Sequence, residues 1–320
     1  MRVCRIAPRK PAIVSDHVEP APSLSSRVSR RALLGTAALL AAGCTGKQPP
    51  AREGVPVGDK SWFTRLVPAA EVEAAGTQQY LQLMQQAGQQ HALLPALHPQ
   101  VLRLRAIAAR LIPFAPQWNP RAEQWRWEVN VIASPQLNAF CMPGGKIVFF
   151  YGILDKLKLS DDEVAMVMGH EIAHALREHA RERLAKTGTT RLAVGAVSTL
   201  LGFGNVGDTL LHMGGQLLTL TFSREDESEA DLVGMELAAR AGYDPAASVS
   251  LWQKMAQAGQ GAPAAFLSTH PSGNTRIADL QRNLPRVAGL YARAPKPVER
   301  FEVAAPLAPP QPASAPGPGA

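Results

Sequence analysis

The stretch His170-Glu171-Ile172-Ala173-His174 decides how this chain is read. The periodicity around it predicts one helix from about Ser160 to about Lys186. A capping box opens that helix: Ser160 caps, and Glu163 lies three residues on. On a helix, residues four apart lie ~40° from each other around the axis and one turn along it. His170 and His174 can therefore direct both imidazoles at one Zn2+ at roughly 2.0–2.1 Å. Glu171 projects beside them, where a carboxylate can draw a proton from water. Such a pattern also arises by chance on exposed helices, so residues outside it must decide.

A catalytic zinc takes three protein ligands and leaves one position open. Met-turn zinc sites place a third histidine six residues after the second, behind a glycine. Here those positions hold Ala180 and Arg177. His179 comes one residue early. On a continuing helix it points ~140° away from His174, which predicts a solvated histidine. A better donor lies downstream in Ser223-Arg224-Glu225-Asp226-Glu227-Ser228-Glu229-Ala230-Asp231. Glu227 and Asp231 are four apart and share a helix face. Glu227 can complete a site of two histidines and a glutamate, and Asp231 can accept the free N–H of a ligand imidazole. Glu225 and Glu229 fall off that face and are expected in solvent.

The formal charge of the 320 residues is +7, which by itself would invite a nucleic-acid reading. Its distribution argues against one. Residues 1–43 hold seven Arg and Lys against Asp16 and Glu19, and the rest of the chain holds 26 basic against 24 acidic residues. The excess belongs to a targeting segment. Arg30-Arg31 precedes an apolar run from Ala32 to Gly43, short of the ~20 residues that span a bilayer. The run ends in Leu40-Ala41-Ala42-Gly43-Cys44, which is similar to a bacterial lipoprotein signal with Cys44 lipidated; a plain signal peptide or signal anchor is the alternative. Thr45 after the cysteine mildly favours the outer membrane. With Cys4 removed and Cys44 lipidated, only Cys141 remains, so neither a disulfide nor a cysteine-based metal site is expected.

Residues 44–60 read as a tether. Helices are expected from about Ala69 to Gln90 and over Val101 to Leu111, with Pro95 and Pro99 as breakers. Trp125 to Ser134, Leu137 to Met142 and Lys146 to Tyr151 read as short strands of a small antiparallel sheet, the last two joined by Pro143-Gly144-Gly145. Residues 191–222 are apolar but interrupted by Gly202, Gly204, Asn205, Gly207 and Asp208, which favours a loop with short helices over a membrane span. Phe222 to Arg240 and Pro245 to Gln257 read as helices. His270-Pro271 then precedes a last helix carrying Arg276. Residues 301–320 are rich in Pro and Ala and read as a disordered tail.

His-Glu-Ile-Ala-His, followed after a long gap by Ser223-Arg224, Glu227 and Ala230-Asp231, resembles the HtpX-like and CAAX-prenyl-protease-like zinc metallopeptidases. Asn138-Ala139-Phe140 with Pro143-Gly144-Gly145-Lys146-Ile147-Val148, and Thr269-His270-Pro271 with Arg276, are similar to further motifs of that family in the same order. The resemblance covers roughly residues 70–285. It implies one zinc held by His170, His174 and Glu227, and it singles out Glu227 over Glu225 and Glu229. It also implies Glu171 as the general base, and Asp231 and Arg276 as residues supporting the ligands. No spanning helix is expected in this chain, so the likeness is closer to the soluble, exported branch of Oma-like and BepA-like lipoproteins.

The expected protein is a mainly helical α+β zinc metallopeptidase domain of gluzincin-like type over residues 61–300, with a small antiparallel sheet. It is expected on the periplasmic side of a bacterial membrane, where a lipid anchors it. The expected activity is zinc-dependent endopeptidase cleavage of unfolded or misfolded envelope proteins, with no nucleic-acid partner. A chaperone or adaptor with vestigial proteolysis is the competing reading; intact His170, Glu171, His174 and Glu227 argue against it. Leu137 to Phe140, with Asn138 and Ala139, is either an edge strand that pairs with extended substrate or a strand paired within the sheet. His270 is either a removable fourth ligand, a donor to the developing oxyanion, or a surface residue ahead of a helix.

Overall fold

The computed structural model describes residues 53–195, 221–258, 265–270 and 275–307. The signal segment with Cys44 lies outside the described residues, as do most of 191–222 and positions 308–320. Helix α1 (Ala69–Gln89) and helix α2 (Pro99–Leu111) form where the apolar periodicity predicts. Pro99, expected only as a breaker after α1, is itself the first residue of α2. Its fixed φ suits the first helical position, and the His98 ring accepts a hydrogen bond from the Gln100 N–H at 3.1 Å.

Strands β1 (Glu128–Ile132), β2 (Ala139–Met142) and β3 (Lys146–Phe150) make one sheet in the order β1-β3-β2. β2 and β3 form the expected antiparallel hairpin, turned at Gly144 and Gly145 with φ of 88° and 80°, a region glycine enters without a Cβ penalty. β1 corrects the all-antiparallel expectation. It runs parallel to β3, from Glu128 opposite Lys146 to Ile132 opposite Phe150. The chain reverses twice between β1 and β3, so β3 returns in the direction of β1 and slots beside it. This leaves β2 at the sheet edge.

Helices α3 (Tyr151–Lys156), α4 (Asp161–Leu176), α5 (His179–Gly195), α6 (Arg224–Arg240), α7 (Ala247–Ala258), α8 (Ala265–Thr269) and α9 (Arg276–Arg293) follow. α4 is the centre of the fold, and every residue of it except Asp162 is buried. It packs against β2, α2, α6 and α7. A helix buried all round needs such a jacket, because it gives no face to water. The predicted capping box is present, with Ser160 Oγ accepting from the Glu163 N–H and Glu163 Oε2 from the Ser160 N–H. Beside it, fully buried Arg103 donates to Asp161 Oδ1 at 2.7 Å and to the Leu159 carbonyl.

The crossing of α4 and α6 depends on two glycines. A Cβ on Gly169 would lie 2.7 Å from the Gly234 carbonyl oxygen, and one on Gly234 would lie 2.6 Å from the His170 nitrogen. Only glycine lets two helix backbones approach this closely. The contact is immediately next to the first histidine.

Three expectations about extent are corrected. The helix predicted to run to about Lys186 ends at Leu176. Arg177 caps it, Glu178 adopts a left-handed φ of 62°, and α5 starts afresh at His179. The tether expected up to residue 60 is already packed from Glu53. Val55 is buried and its N–H donates to Glu236 Oε2 at 2.8 Å, and Arg177 donates to the Gly58 carbonyl. The tail expected from residue 301 is held as far as Ala305: the Phe301 N–H donates to Asp161 Oδ2, and the Tyr151 hydroxyl donates to the Ala305 carbonyl. Composition predicts neither segment, because both are held by main-chain groups that any sequence supplies. Among the described residues, no helix is long and apolar enough to cross a membrane.

Candidate metal centre

The second turn from the end of α4 carries His170 and Glu171, and its last turn carries His174; all three are buried. The two imidazoles face each other with Nε2 atoms 3.1 Å apart. α6 is started by a second capping box, Ser223 with Asp226, which fixes where its first turn projects. From that turn Glu227 reaches between the histidines. Its Oε1 is 3.4 Å from His174 Nε2 and its Oε2 is 3.5 Å from His170 Nε2. His270, just after α8, closes the group with Nδ1 2.9 Å from Glu227 Oε1 and 3.3 Å from His170 Nε2.

These separations identify the group as a donor set. Donors placed tetrahedrally around one zinc at about 2.1 Å stand about 3.4 Å from each other. One atom each from His170, His174, Glu227 and His270 all lie within 4.8 Å of one another. Charge points the same way. Among the described residues, buried Glu171 and Glu227, with partly buried Asp231 beside them, surround one buried guanidinium, that of Arg276. Such an excess of buried anions is costly unless a cation joins it. Imidazoles with one carboxylate and no thiolate fit zinc of the catalytic type, and zinc is the cofactor of this site.

Asp231 Oδ1 is 3.1 Å from His170 Nδ1, one helical turn beyond Glu227 on the same face of α6. Arg276 donates through Nη1 to Glu227 Oε2 at 3.0 Å and through Nη2 to Asp231 Oδ1 at 2.7 Å, and its guanidinium lies over the Trp252 ring at 3.3 Å. One arginine thus orients both carboxylates. Of the three readings of His270, the surface one is overturned: the residue is 3% exposed and stacks on Phe266 with ring centres 4.5 Å apart.

Burial opposes charge on His170, but its hydrogen bonds to the accepting carboxylates of Asp231 and Glu227 more than offset it and push its pKa up to about 9. His174 goes the other way, held well below the usual imidazole range by burial. Burial pushes Glu227 up, yet hydrogen bonds from His170, His174 and His270 hold it well below the usual carboxylate range. Glu171 is raised by burial, partly offset by His270 and His170. Its Oε1 is buried without a hydrogen-bond partner among the described residues, 3.6 Å from His270 Nε2. A buried carboxylate oxygen left open beside a donor set is free to take a proton.

A cleft runs from these groups along the sheet edge, lined by Asn138 to Pro143, Phe222 and His270. The Asn138 carbonyl accepts from the Phe150 N–H, and Phe140 pairs with Val148 across the hairpin. The main-chain groups of Ala139 and Cys141 therefore point away from β3. Two outward groups at the start of the edge are already engaged: the Leu137 carbonyl accepts from the Phe266 N–H, and the Ala139 N–H donates to Asn138 Oδ1. The edge available for pairing thus begins at the Ala139 carbonyl, later than the expected stretch from Leu137.

Sequence reasoning missed two neighbours. His179 was expected in solvent; it is 2% exposed, and its Nδ1 is 2.9 Å from His174 Nδ1. Glu229, also expected in solvent, is partly buried and lies 3.2 Å from His179 Nε2 while accepting from Arg177 Nε at 2.8 Å. Glu225 is exposed as expected.

The sequence profile of Peptidase family M48 matches residues 99–284. Over 209 residues the chain is 36% identical to the mitochondrial metalloendopeptidase OMA1 of Schizosaccharomyces pombe, covering 64% of this chain and 59% of that protein. It is 30% identical over 269 residues to the protein of the same name from Saccharomyces cerevisiae, covering 80% and 76%. It is 29% identical over 163 residues to the beta-barrel assembly-enhancing protease of Yersinia pestis, covering 47% and 32%. The chain thus spans about three fifths of the fission yeast relative and a third of the bacterial one. The matched profile takes in both helices of the donor set, the edge strand and the His270–Arg276 segment, and with these relatives it establishes that the chain belongs to peptidase family M48.

Proposed function

We propose that this chain is a zinc-dependent endopeptidase that cuts unfolded or misfolded proteins of the bacterial envelope, held by a lipid on Cys44 at the periplasmic face, with the outer membrane favoured. The observation that carries the activity is the convergence of His170, His174 and Glu227 beside the open oxygen of Glu171. The names of the relatives support endopeptidase activity, and the name of the Yersinia protein supports a part in envelope protein quality control. The place in the cell rests on Arg30-Arg31, the apolar run and Cys44.

Zinc, when bound, supplies Lewis-acid polarisation of the scissile carbonyl and of the attacking water. The chain's own residues do the rest. His170, His174 and Glu227 hold the ion, and Arg276 and Asp231 keep Glu227 and His170 aimed. Glu171 takes the proton of the attacking water as its oxygen bonds to the carbonyl carbon. It then delivers that proton to the amide nitrogen as the C–N bond breaks. A pKa raised by burial suits a group that must both take up and release a proton. The Ala139 carbonyl and the Cys141 N–H offer main-chain pairing to an extended substrate, which reads backbone more than side chains and so favours unfolded proteins. We read His270 as a removable fourth ligand, because its Nδ1 stands among the donor atoms.

The test is cleavage of casein by the purified chain. Activity should vanish with a zinc chelator and return when Zn2+ is restored. Chelator-resistant cleavage, or none with a full complement of zinc, refutes the proposal.

A further inference from the structure

His179 has no part in the chemistry just described, yet the chain bends sharply to bring it there. Five residues beyond His174 on a continuous helix, its ring would point ~140° away. Instead α4 stops at Leu176, and Glu178 takes a φ of 62°, a left-handed region that disfavours a residue with a Cβ. α5 then begins at His179 with its ring turned back onto His174. Unusual backbone of this kind persists where the surrounding contacts hold it in place. Here they do so from both sides. Arg177 ties the bend to Glu229 and to the Gly58 carbonyl, and Glu178 accepts from Arg181 Nη1 at 2.8 Å.

The hydrogen-bond chain that results permits one assignment of protons. His174 must present an unprotonated Nε2 to a metal, so its Nδ1 carries the hydrogen. That N–H faces His179 Nδ1 at 2.9 Å, which must then accept. His179 therefore carries its own hydrogen on Nε2, and this faces the Glu229 carboxylate at 3.2 Å. Every polar atom in the chain is satisfied by that arrangement. Phe222 adds a third restraint, stacked on the His174 ring with centres 4.0 Å apart.

We propose that His179, backed by Glu229, is a positioning residue for His174: it fixes the ring with Nδ1 protonated and Nε2 turned to the metal, as Asp231 does for His170. Each histidine of the metal helix then has its own partner on the far ring nitrogen. One partner comes directly from α6 and the other comes from α6 through a second imidazole. The inference rests on the zinc-peptidase reading, and the experiment separates the two.

The experiment measures zinc affinity of the full chain by competition against a chromophoric chelator, for the wild type, His179→Phe and His179→Asn. Phenylalanine keeps the ring's shape and loses both hydrogen bonds, and affinity should fall about 10–100-fold. Asparagine places an acceptor oxygen near the lost Nδ1, and most of that affinity should return. Thermal unfolding of the metal-free proteins checks that the fold is intact. A phenylalanine variant that binds zinc within twofold of the wild type overturns the proposal. So does an asparagine variant that falls as far as the phenylalanine one. Should His179→Phe fail to fold, the zinc-loaded wild type decides by itself. Its NMR spectrum must show a His174 Nδ1 proton protected from exchange with solvent, and rapid exchange of that proton overturns the proposal. A wild type that binds no zinc at all would instead refute the function proposed above.

Discussion

Gly234→Ala should damage the metal site although it replaces no residue that holds the metal. The new Cβ would lie 2.6 Å from the His170 nitrogen, 2.7 Å from the Gly169 carbonyl carbon and 2.9 Å from the His170 Cα. These are backbone atoms at the centre of α4 and cannot rotate away. Ordinary contact begins near 3.4 Å, so α6 must withdraw from α4 by about 0.8 Å. Asp231 is one turn earlier on α6 and Glu227 two turns earlier. The 3.1 Å contact between His170 and Asp231 would then open toward about 3.9 Å, too long for a hydrogen bond. Overpacking of this kind costs about 1–3 kcal/mol, which for a domain of this size lowers Tm by about 2–12 °C. Loss of the contact behind a ligand should weaken zinc binding about 10–100-fold. Thermal unfolding and chelator competition measure both. Gly88→Ala is the control. Nothing lies within 4 Å of its Cβ on the exposed face of α1, so it should keep zinc affinity and gain up to about 1 kcal/mol. A Gly234→Ala protein with unchanged Tm and zinc affinity would show that the close helix crossing does not set the site.

The metal-free protein should lose stability between about pH 6.5 and 9. His170 keeps its proton up to about 9 when folded and releases it near 6.5 when unfolded, so the gain is full below 6.5 and is lost as pH rises through 9. The loss is at most about 3 kcal/mol, it reads out as a falling Tm, and it should be absent with zinc bound; a flat metal-free Tm across that window refutes it. His270→Ala should raise the rate of casein cleavage if the histidine is a removable ligand. A drop of roughly 10²–10³-fold would make it an oxyanion donor instead, and an unchanged rate with unchanged zinc affinity would remove it from the site. Ala139→Pro removes an N–H already used by Asn138 and restricts the edge beside it. It should reduce cleavage of unfolded substrate by more than its effect on Tm accounts for, and full activity in a folded variant counts against edge pairing.

Much of the site is legible in the sequence because it is built from helix periodicity. His170 and His174, and again Glu227 and Asp231, are pairs four apart, and a spacing of four fixes a shared face wherever the helix goes. The capping box at Ser160 is legible for the same reason: it is local. His179 and Glu229 were misread because that argument assumes an unbroken helix. The break at Arg177 and Glu178 uses neither glycine nor proline, so nothing in the local sequence announces it. Gly169 and Gly234 are 65 positions apart, and only the packing of α4 on α6 shows why neither can carry a side chain. The direction of β1 was equally hidden: alternation in Trp127, Val129 and Val131 marks a strand but says nothing of the neighbour it will choose.

The most direct test of the central claim compares zinc content and casein turnover in Glu171→Gln and Glu227→Gln. Glu171 is placed as a proton carrier that does not hold the ion, and Glu227 as a residue that holds it. Glu171→Gln should therefore retain one zinc per chain while turnover falls to background, and Glu227→Gln should lose the zinc together with the activity. Equal loss of zinc in both proteins, or normal turnover in Glu171→Gln, would contradict the account.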